Sequence, residues 1–259
     1  MFTSFQKPNE SIEKNIKSYM VKFSLIIIHL FYGFFQALYI LYINDKPKNK
    51  YIRNWSKRLL SILKIHLEIN QDLNKLLSSK HFLIVSNHIS WIDIFLINSI
   101  FPISFLSKGD VARWPVIGKL TKCANTIYIK RGNKKSLTTA SNQIEKKLNE
   151  MDSIFFFPEG FATDGSKLLP FKSNFFQTAI NCNTNILPLA IRYTSNGKFT
   201  PAPSYAGDIN LAQSLLALIR IKNLKAQISV LPIISSKNNR KVIANKVHQR
   251  IYKALRITL

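Results

Sequence analysis

The sequence predicts an α/β layered fold with a central mixed sheet, preceded by an N-terminal helical segment that associates with a membrane. Three observations support this prediction. Strand and helix patterns alternate from residue 65 onward, an uncharged apolar run covers residues 23–43, and a chain of 259 residues can bury a substantial core. We therefore divide the chain into a basic N-terminal region, residues 1–64, and an α/β domain, residues 65–259.

The apolar run at residues 23–43 carries no formal charge, and its length of about 20 residues matches the thickness of a bilayer core. It is too long for a cleaved signal peptide, and no small-residue cleavage site follows it. His29 and Gln36 interrupt the run, and Gly33 lies at its centre. Three arrangements therefore stay open: a membrane-spanning helix, a helix–break–helix element in one leaflet, and a core helix of a soluble domain.

The next segment, residues 51–64, has the pattern of a basic amphipathic helix. Trp55, Leu59, Ile62 and Leu63 form its apolar stripe. Two interpretations are open. Its lysines and arginines lie among lipid phosphates with Trp55 at the membrane interface, or it is an ordinary domain helix with a solvated face. The basic residues after the apolar run favour a cytoplasmic location for the rest of the chain.

Alternating patterns then predict the elements of the α/β domain. The predicted strands are residues 65–70, 82–86, 103–107, 126–129, 153–157, 186–191 and 227–231. The predicted helices are residues 92–100, 116–123, 135–150, 175–181, 212–219 and 240–254. This alternation favours a mostly parallel or mixed sheet with helices on its faces.

Four polar residues follow directly on predicted strands. In open α/β sheets, ligands bind outside the carboxyl ends of the strands, so one crevice is expected to contain all four: His88, Lys108, Arg131 and Glu159.

His88 and Asp93 form a candidate acid–base pair, since an imidazole oriented by a carboxylate can take a proton from a hydroxyl. On a regular helix, five steps would place the two side chains roughly 140° apart. The pair therefore requires a strand–loop–helix junction, and Ser86 and Asn87 supply suitable turn chemistry.

Several motifs extend this pair in a fixed order. Asn87-His88-x4-Asp93 is followed by residues 106–115, by Thr126-Ile-Tyr-Ile-Lys-Arg131-Gly132, by Phe157-Pro-Glu159-Gly160 and by Leu187-Pro188-Leu189. This set resembles the bacterial lysophosphatidic acid (1-acylglycerol-3-phosphate) acyltransferase family over roughly residues 65–192. The resemblance implies a glycerolphosphate-acyltransferase-like fold, with residues 65–259 as the catalytic domain. It also implies location at the bacterial inner membrane, with this domain on the cytoplasmic face.

The expected reaction moves a fatty acyl group from acyl carrier protein or coenzyme A to a lysophospholipid hydroxyl. His88 is the expected general base and Asp93 orients it, while Asn87 or nearby backbone amides are oxyanion donors. Arg131 and Lys108 are expected to bind the acceptor phosphate. By resemblance, Glu159 binds acceptor hydroxyls or holds Arg131, and Gly160 allows close approach of the backbone. No metal or cofactor is expected, because the thioester is already activated.

Two departures from the family pattern concern the acceptor. Phe161 replaces a small hydroxyl residue and Asn174 replaces a common glycine. The long loop at residues 161–171, with Asp164-Gly165, is similar to that of lyso-ornithine lipid acyltransferases. The same chemistry on lyso-ornithine lipid is therefore the alternative.

The acyl chain needs an apolar groove, for which residues 155–157 and 114–117 are candidates, although core packing also explains them.

Other classes of protein fit less well. A net charge of +24 favours acidic partners such as nucleic acid, anionic lipid, phosphorylated ligands or an acidic carrier protein, although a Lys-rich composition bias is another source of it. The scattered basic residues and the apolar run argue against nucleic acid. The sequence has no Gly-x-Ser-x-Gly motif, which argues against a hydrolase, and no Gly-x-Gly-x-x-Gly motif, which argues against a dinucleotide-binding enzyme. Cys123 and Cys182 form neither a zinc motif nor a disulfide scaffold.

Overall fold

The structure is a computed structural model that describes residues 10–40, 45–114, 117–130 and 132–257. Within these residues, eight strands form one sheet in the order β1-β8-β6-β2-β5-β3-β4, with β7 paired to β6. The strands are β1 (His66–Ile69), β2 (Leu83–Ser86), β3 (Ser104–Lys108), β4 (Ile127–Ile129), β5 (Ile154–Phe156), β6 (Ile186–Ser195), β7 (Lys198–Phe199) and β8 (Leu224–Val230).

The sheet is mixed, as predicted. Strands β6, β2, β5, β3 and β4 are mutually parallel, whereas β8 runs antiparallel to β6 and β1 is parallel to β8. The parallel half therefore presents the carboxyl ends of β2, β5, β3 and β4 at one edge. His88 and Glu159 follow the ends of β2 and β5 within three residues, and Lys108 is the last residue of β3.

Helices cover both faces of the sheet. They are α1 (Glu10–Ile40), α2 (Asp45–Leu63), α3 (Leu73–Ser79), α4 (Ile92–Ile100), α5 (Ile117–Cys123), α6 (Lys134–Asn149), α7 (Phe176–Asn181), α8 (Leu211–Arg220) and α9 (Arg240–Ile257), with a short 3-10 helix at Gly109–Arg113. Apolar residues of α2, α3, α4 and α8 pack on one face, and those of α6, α7 and α9 pack on the other.

Strand β2 lies at the centre of the sheet, and its sequence is a continuous apolar run without alternating polar residues. Leu83 and Val85 point into the core on the α6–α7–α9 side, while Ile84 points to the α2–α4 side. All three are fully buried. A parallel strand covered on both faces is expected to be a continuous apolar run.

The N-terminal helix differs from the broken element that the sequence left open. Helix α1 runs continuously through Gly33, and α2 packs against it. Gly33 serves close packing, because a Cβ atom there would lie 2.5 Å from Trp55 Nε1. Trp55 is 6% exposed, stacks on His29 and contacts Phe95 of α4. The placement of Trp55 at a membrane interface was therefore wrong, since this side chain fills the junction between α1, α2 and α4.

Helix α1 nevertheless keeps a large apolar surface. Residues Asn15–Ile40 are long and apolar enough to cross a membrane, with a mean hydropathy of 1.8. Only 28% of that window is buried within the molecule. The side chains of Ile28, Phe31 and Phe35 are each more than 60% exposed on one face. Such a face is unusual for a helix in the core of a soluble protein.

Some elements were not predicted from the sequence. Helix α3, strand β7 and the 3-10 helix are short and lack a strong periodic pattern. Strand β6 continues four residues past its predicted end because Arg192, Tyr193, Thr194 and Ser195 pair with β8. Those residues look polar in sequence, and only the neighbouring strand makes them part of the sheet.

Candidate active site

The site forms where β2 ends and α4 begins. The chain leaves the sheet after Ser86, and Asp93 lies in the first turn of α4. This bend brings His88 Nδ1 to 2.9 Å from Asp93 Oδ2. The strand–loop–helix junction required by the spacing is therefore present, and it makes the contact that a regular helix would prevent.

Asp93 is fully buried and held by four hydrogen-bond partners. Its Oδ2 accepts from the backbone N–H groups of Ile89 at 2.8 Å and Ser90 at 2.9 Å, in addition to the His88 contact. Its Oδ1 accepts from the Tyr193 hydroxyl at 2.6 Å. The carboxylate is thus fixed in the plane and direction that the imidazole needs.

The imidazole of His88 is positioned from two sides. Its ring stacks on Phe157, with the ring centroids 3.9 Å apart and an interplanar angle of 11°. Because Nδ1 faces Asp93, Nε2 is the nitrogen that remains for a substrate, and the side chain is 20% exposed. A neutral imidazole whose Nδ1–H donates to a carboxylate presents its Nε2 lone pair as a base.

Glu159 connects the His88 loop to the segment after β5. One carboxylate oxygen accepts from the His88 backbone N–H at 2.7 Å, and the other accepts from the Leu169 N–H at 2.9 Å. The side chain is 2% exposed, and this burial raises the pKa of Glu159 to about 7 against the opposing effect of the two N–H donors. In this geometry Glu159 holds the backbone of His88 and Leu169 in place. Its contact with an acceptor or with Arg131 stays a prediction.

Gly160 adopts a left-handed conformation, with φ of +76°. A Cβ atom there would lie 2.9 Å from Lys172 Nζ, and this ammonium group also lies over the Phe161 ring at 5.1 Å. Only glycine takes this conformation without strain. The sequence did not single out Lys172, which reaches the turn from 12 residues further along the chain.

The two predicted phosphate ligands follow the neighbouring strands β3 and β4. Lys108 ends β3, is half exposed and forms an ion pair with Asp110. It is in register with Ile129, two residues before Arg131. Arg131 itself lies outside the described residues. Since β3 is two strands from β2, Lys108 is roughly 10 Å from the His88 strand.

Asn87 has a different role from the oxyanion donor suggested by the sequence. Its side-chain amide donates to the Ile191 carbonyl at 2.9 Å and its oxygen accepts from the Ile191 N–H at 2.8 Å. The N–H groups of His88, Ile89 and Ser90 are also engaged, by Glu159 and Asp93. Asn87 therefore joins β2 to β6 in the manner of an extra ladder pair.

Three further contacts around His88 were not predicted. Thr163 N–H donates to the His88 carbonyl, Tyr205 N–H donates to the Ile89 carbonyl, and Tyr193 reaches Asp93. Tyr193 is separated from Asp93 by 100 residues. No local motif marks these residues, because each acts through a long-range contact.

An apolar pocket lies between the N-terminal helices and the sheet, and none of the site residues described above lines it. It is lined by side chains of α1, α2, α4, α5 and β3, among them Ile52, Phe95, Phe105, Ile117 and Leu120. The Phe105 ring lies 6.5 Å from the ring of Phe157, which stacks on His88. Aromatic contacts therefore lead from the pocket to the imidazole.

Comparison with known proteins identifies the family. Residues 64–192 match the family model described as Acyltransferase. The chain is 30% identical over 209 residues to the 1-acyl-sn-glycerol-3-phosphate acyltransferase of Neisseria gonorrhoeae, covering 80% of this chain and 81% of that protein. This chain belongs to the acyltransferase family. The matched segment contains His88, Asp93, Glu159 and Asn87.

Two other acyltransferases are informative. The lyso-ornithine lipid O-acyltransferase of Rhizobium meliloti is 27% identical over 230 residues, covering 83% of this chain and 78% of that protein. The crystal structure of the 1-acyl-sn-glycerophosphate (LPA) acyltransferase PlsC from Thermotoga maritima superposes with a TM-score of 0.71 at 18% identity. That match covers 94% of this chain and 95% of the other, so the N-terminal helices share the fold.

Proposed function

We propose that this acyltransferase transfers a fatty acyl group from an acyl thioester to the free hydroxyl of 1-acyl-sn-glycerol-3-phosphate, giving phosphatidic acid. The observation that carries the proposal is the buried Asp93 carboxylate holding the His88 imidazole, with Nε2 left for substrate. The relatives named as 1-acyl-sn-glycerol-3-phosphate acyltransferases support the choice of acceptor.

In the proposed reaction, His88 Nε2 takes the proton of the acceptor hydroxyl as its oxygen attacks the thioester carbonyl carbon. Asp93 stabilises the imidazolium that forms. The tetrahedral intermediate then collapses, the carbon–sulfur bond breaks, and the proton passes from His88 to the departing thiolate. A thioester is already activated, so this route uses neither a metal nor a cofactor. Acyl carrier protein and coenzyme A are the two candidate donors.

The acceptor head group is proposed to lie along the carboxyl ends of β5, β3 and β4. Lys108 and Arg131 would bind its phosphate, because a guanidinium can form two parallel hydrogen bonds to phosphate oxygens. The order of the strands supports this placement, since β3 and β4 follow β5 away from His88. The acyl chain is proposed to enter at the apolar pocket lined by Phe105 and Leu120, whose cavity of about 50 Å³ would have to widen to hold it.

Membrane association is part of the proposal. The exposed apolar face of α1 would contact acyl chains, and the excess of lysine and arginine would favour anionic head groups. A lysophospholipid acceptor resides in the membrane, so this attachment would bring the enzyme to its substrate. We propose the inner membrane of a bacterium as its location, with the catalytic domain on the cytoplasmic face.

Lyso-ornithine lipid is the second candidate acceptor. Several relatives with that name are 27–29% identical over 73–83% of this chain. Phe161 is 53% exposed beside the Glu159–Gly160 turn, where it adds an aromatic surface to the acceptor side. With this acceptor, Arg131 would contact a carboxylate instead of a phosphate.

The test is transfer of a labelled acyl group to each acceptor, with acyl carrier protein and coenzyme A thioesters as separate donors. Membranes containing the wild type and the His88→Ala variant are compared. We expect His88→Ala to lower kcat by about 10²–10⁴-fold, the usual contribution of a general base. His66→Ala is the matched control, because His66 is an exposed histidine on β1.

Each outcome has a distinct meaning. Product that depends on His88 with lysophosphatidic acid supports the proposed acceptor. Product with lyso-ornithine lipid alone would keep the chemistry and replace the acceptor. Wild-type rates in His88→Ala would refute the mechanism.

A further inference from the structure

Strand β6, the neighbour of β2, contributes a side chain to the His88–Asp93 pair. Tyr193 is completely buried, and its hydroxyl lies 2.6 Å from Asp93 Oδ1. An ionised carboxylate can only accept, so the phenol is the donor. Tyr193 is the partner of Oδ1, whereas the three other contacts of this carboxylate converge on Oδ2.

The backbone around Tyr193 is as firmly held as its hydroxyl. Two residues earlier, Asn87 bonds both the N–H and the carbonyl of Ile191. Tyr193 itself pairs with Ala226 of β8, and its carbonyl accepts from the Thr200 N–H. The hydroxyl therefore cannot follow a rotating carboxylate, and it fixes the plane of Asp93.

We propose that Tyr193 is a positioning residue for acyl transfer, which sets both the orientation and the electron density of the carboxylate facing His88. The inference rests on the proposed function, because it assumes that His88 acts as the base. A hydrogen bond to Oδ1 withdraws negative charge from Oδ2. The phenol therefore moderates how strongly Asp93 stabilises the imidazolium.

The ionisable groups around this pair, among the described residues, come from four segments. They are His88 of the loop after β2, Asp93 of α4, Glu159 after β5 and Tyr193 of β6. Burial and the neighbouring Asp93 raise the pKa of Tyr193 well above its ordinary value. The phenol consequently keeps its proton throughout the pH range of an assay, and its effect on His88 is constant across that range.

The first experiment is Tyr193→Phe, which removes only the hydroxyl. We expect kcat to fall about tenfold, a part of what a general base contributes, with KM unchanged for donor and acceptor. Without the phenol, Asp93 stabilises the imidazolium more strongly. The acid limb of the rate profile should therefore move to higher pH, by about half a unit. Tyr252→Phe is the matched control, since Tyr252 lies on α9, which packs on the opposite face of the sheet from α4.

A double-mutant cycle separates this role from a structural one. If Tyr193 acts through Asp93, adding Tyr193→Phe to Asp93→Asn should change kcat less than about twofold. Replacing Tyr193 by 3-fluorotyrosine gives a stronger donor and should move the acid limb to lower pH, opposite to phenylalanine. An unchanged kcat and pH profile in Tyr193→Phe, or an equal loss in the Asp93→Asn background, would overturn the proposal.

A measurement that needs no turnover distinguishes this proposal from the proposed function. The rate at which diethyl pyrocarbonate modifies His88 rises as the imidazole loses its proton, with His88→Ala supplying the background. We expect this titration to shift to higher pH in Tyr193→Phe. If the wild type transfers no acyl group but the shift is present, the positioning role stands and only the proposed reaction fails. Absence of the shift removes the positioning role.

Discussion

At the scale of single residues, the site is built from buried polar groups that hold backbone. Asn87 clamps Ile191, Glu159 accepts from His88 and Leu169, and Asp93 accepts from Ile89 and Ser90. Each unmade hydrogen bond in such a place would cost about 1–3 kcal/mol. The His88 loop is therefore rigid before any substrate arrives, as general base catalysis requires.

Glu159 gives a prediction about pH. Its pKa is raised to about 7 from 4.5, so between these values the folded state binds a proton that the unfolded state has lost. The stabilising contribution of this group is complete below about pH 4.5 and declines as pH rises to about 7, by about 3 kcal/mol in total. Glutamine cannot titrate. The difference in thermal unfolding temperature between wild type and Glu159→Gln should therefore shift in favour of the variant from pH 5 to pH 8.

Unfolding of both proteins in the same detergent at several pH values measures this difference. Glu150→Gln, at the exposed C-terminal end of α6, controls for the loss of one negative charge. A shift in favour of the wild type would mean that the N–H donors, and not burial, dominate the Glu159 environment.

At the scale of elements, helix α1 has two faces with different functions. One face is buried against α2, α5 and α8 and contains Ile26, His29, Gly33 and Ala37. Lys22 lies on the same face and donates to the Ile219 carbonyl at the end of α8, an arrangement that suits a helix C-terminus. The opposite face is apolar and exposed. The helix is therefore joined to the catalytic domain on one side and available to a membrane on the other.

Gly33→Ala tests the buried face. In an ordinary helix this change stabilises by about 1 kcal/mol. Here the added methyl group would meet Trp55 Nε1 at 2.5 Å and Cε2 at 2.8 Å. Overpacking of that kind costs about 1–3 kcal/mol, so we expect net destabilisation of the α1–α2 junction. Thermal unfolding in detergent micelles measures it, and Ser24→Ala on the exposed face is the control. Stabilisation by Gly33→Ala would show that the two helices pack less closely.

At the scale of the whole molecule, charge and hydropathy are distributed differently. The net charge of +24 comes from lysines and arginines spread along the chain, whereas the largest exposed apolar side chains concentrate on α1. Attraction to an anionic surface would bring the molecule to a membrane, and the apolar face would then insert. Electrostatic attraction is screened by salt, with a Debye length of about 10 Å at 0.1 M, whereas apolar insertion is not.

We expect flotation with vesicles to separate these two contributions. Binding of the wild type should weaken with added salt on anionic vesicles, and it should persist in part on zwitterionic vesicles. Phe31→Ser with Phe35→Ser should weaken both, because each buried phenyl ring contributes about 1.5–3 kcal/mol. Val242→Ser, at an exposed apolar position on α9 across the sheet, should leave binding unchanged. Equal binding of all variants would exclude α1 as the contact surface.

The layered fold, most of its elements and the His88–Asp93 pair can be predicted from the amino-acid sequence. Hydropathy periodicity specifies each buried strand and helix, and the requirement that His88 and Asp93 meet specifies the bend between β2 and α4. The carboxyl ends of parallel strands lie at the same edge of a sheet. The sequence therefore predicts His88, Lys108, Arg131 and Glu159 in one crevice even when the order of the strands in the sheet is not known. These features depend on local pattern or on general rules of sheets.

The groups that support this pair, and the direction in which α1 faces, depend on long-range contacts. Tyr193 reaches Asp93 from 100 residues away, Asn87 bonds Ile191 from 104 residues away, and Trp55 packs on Gly33 from another helix. The same residue types at other positions would be ordinary core or turn residues. Their roles arise from strand order and helix packing, which bring together segments that no local pattern relates.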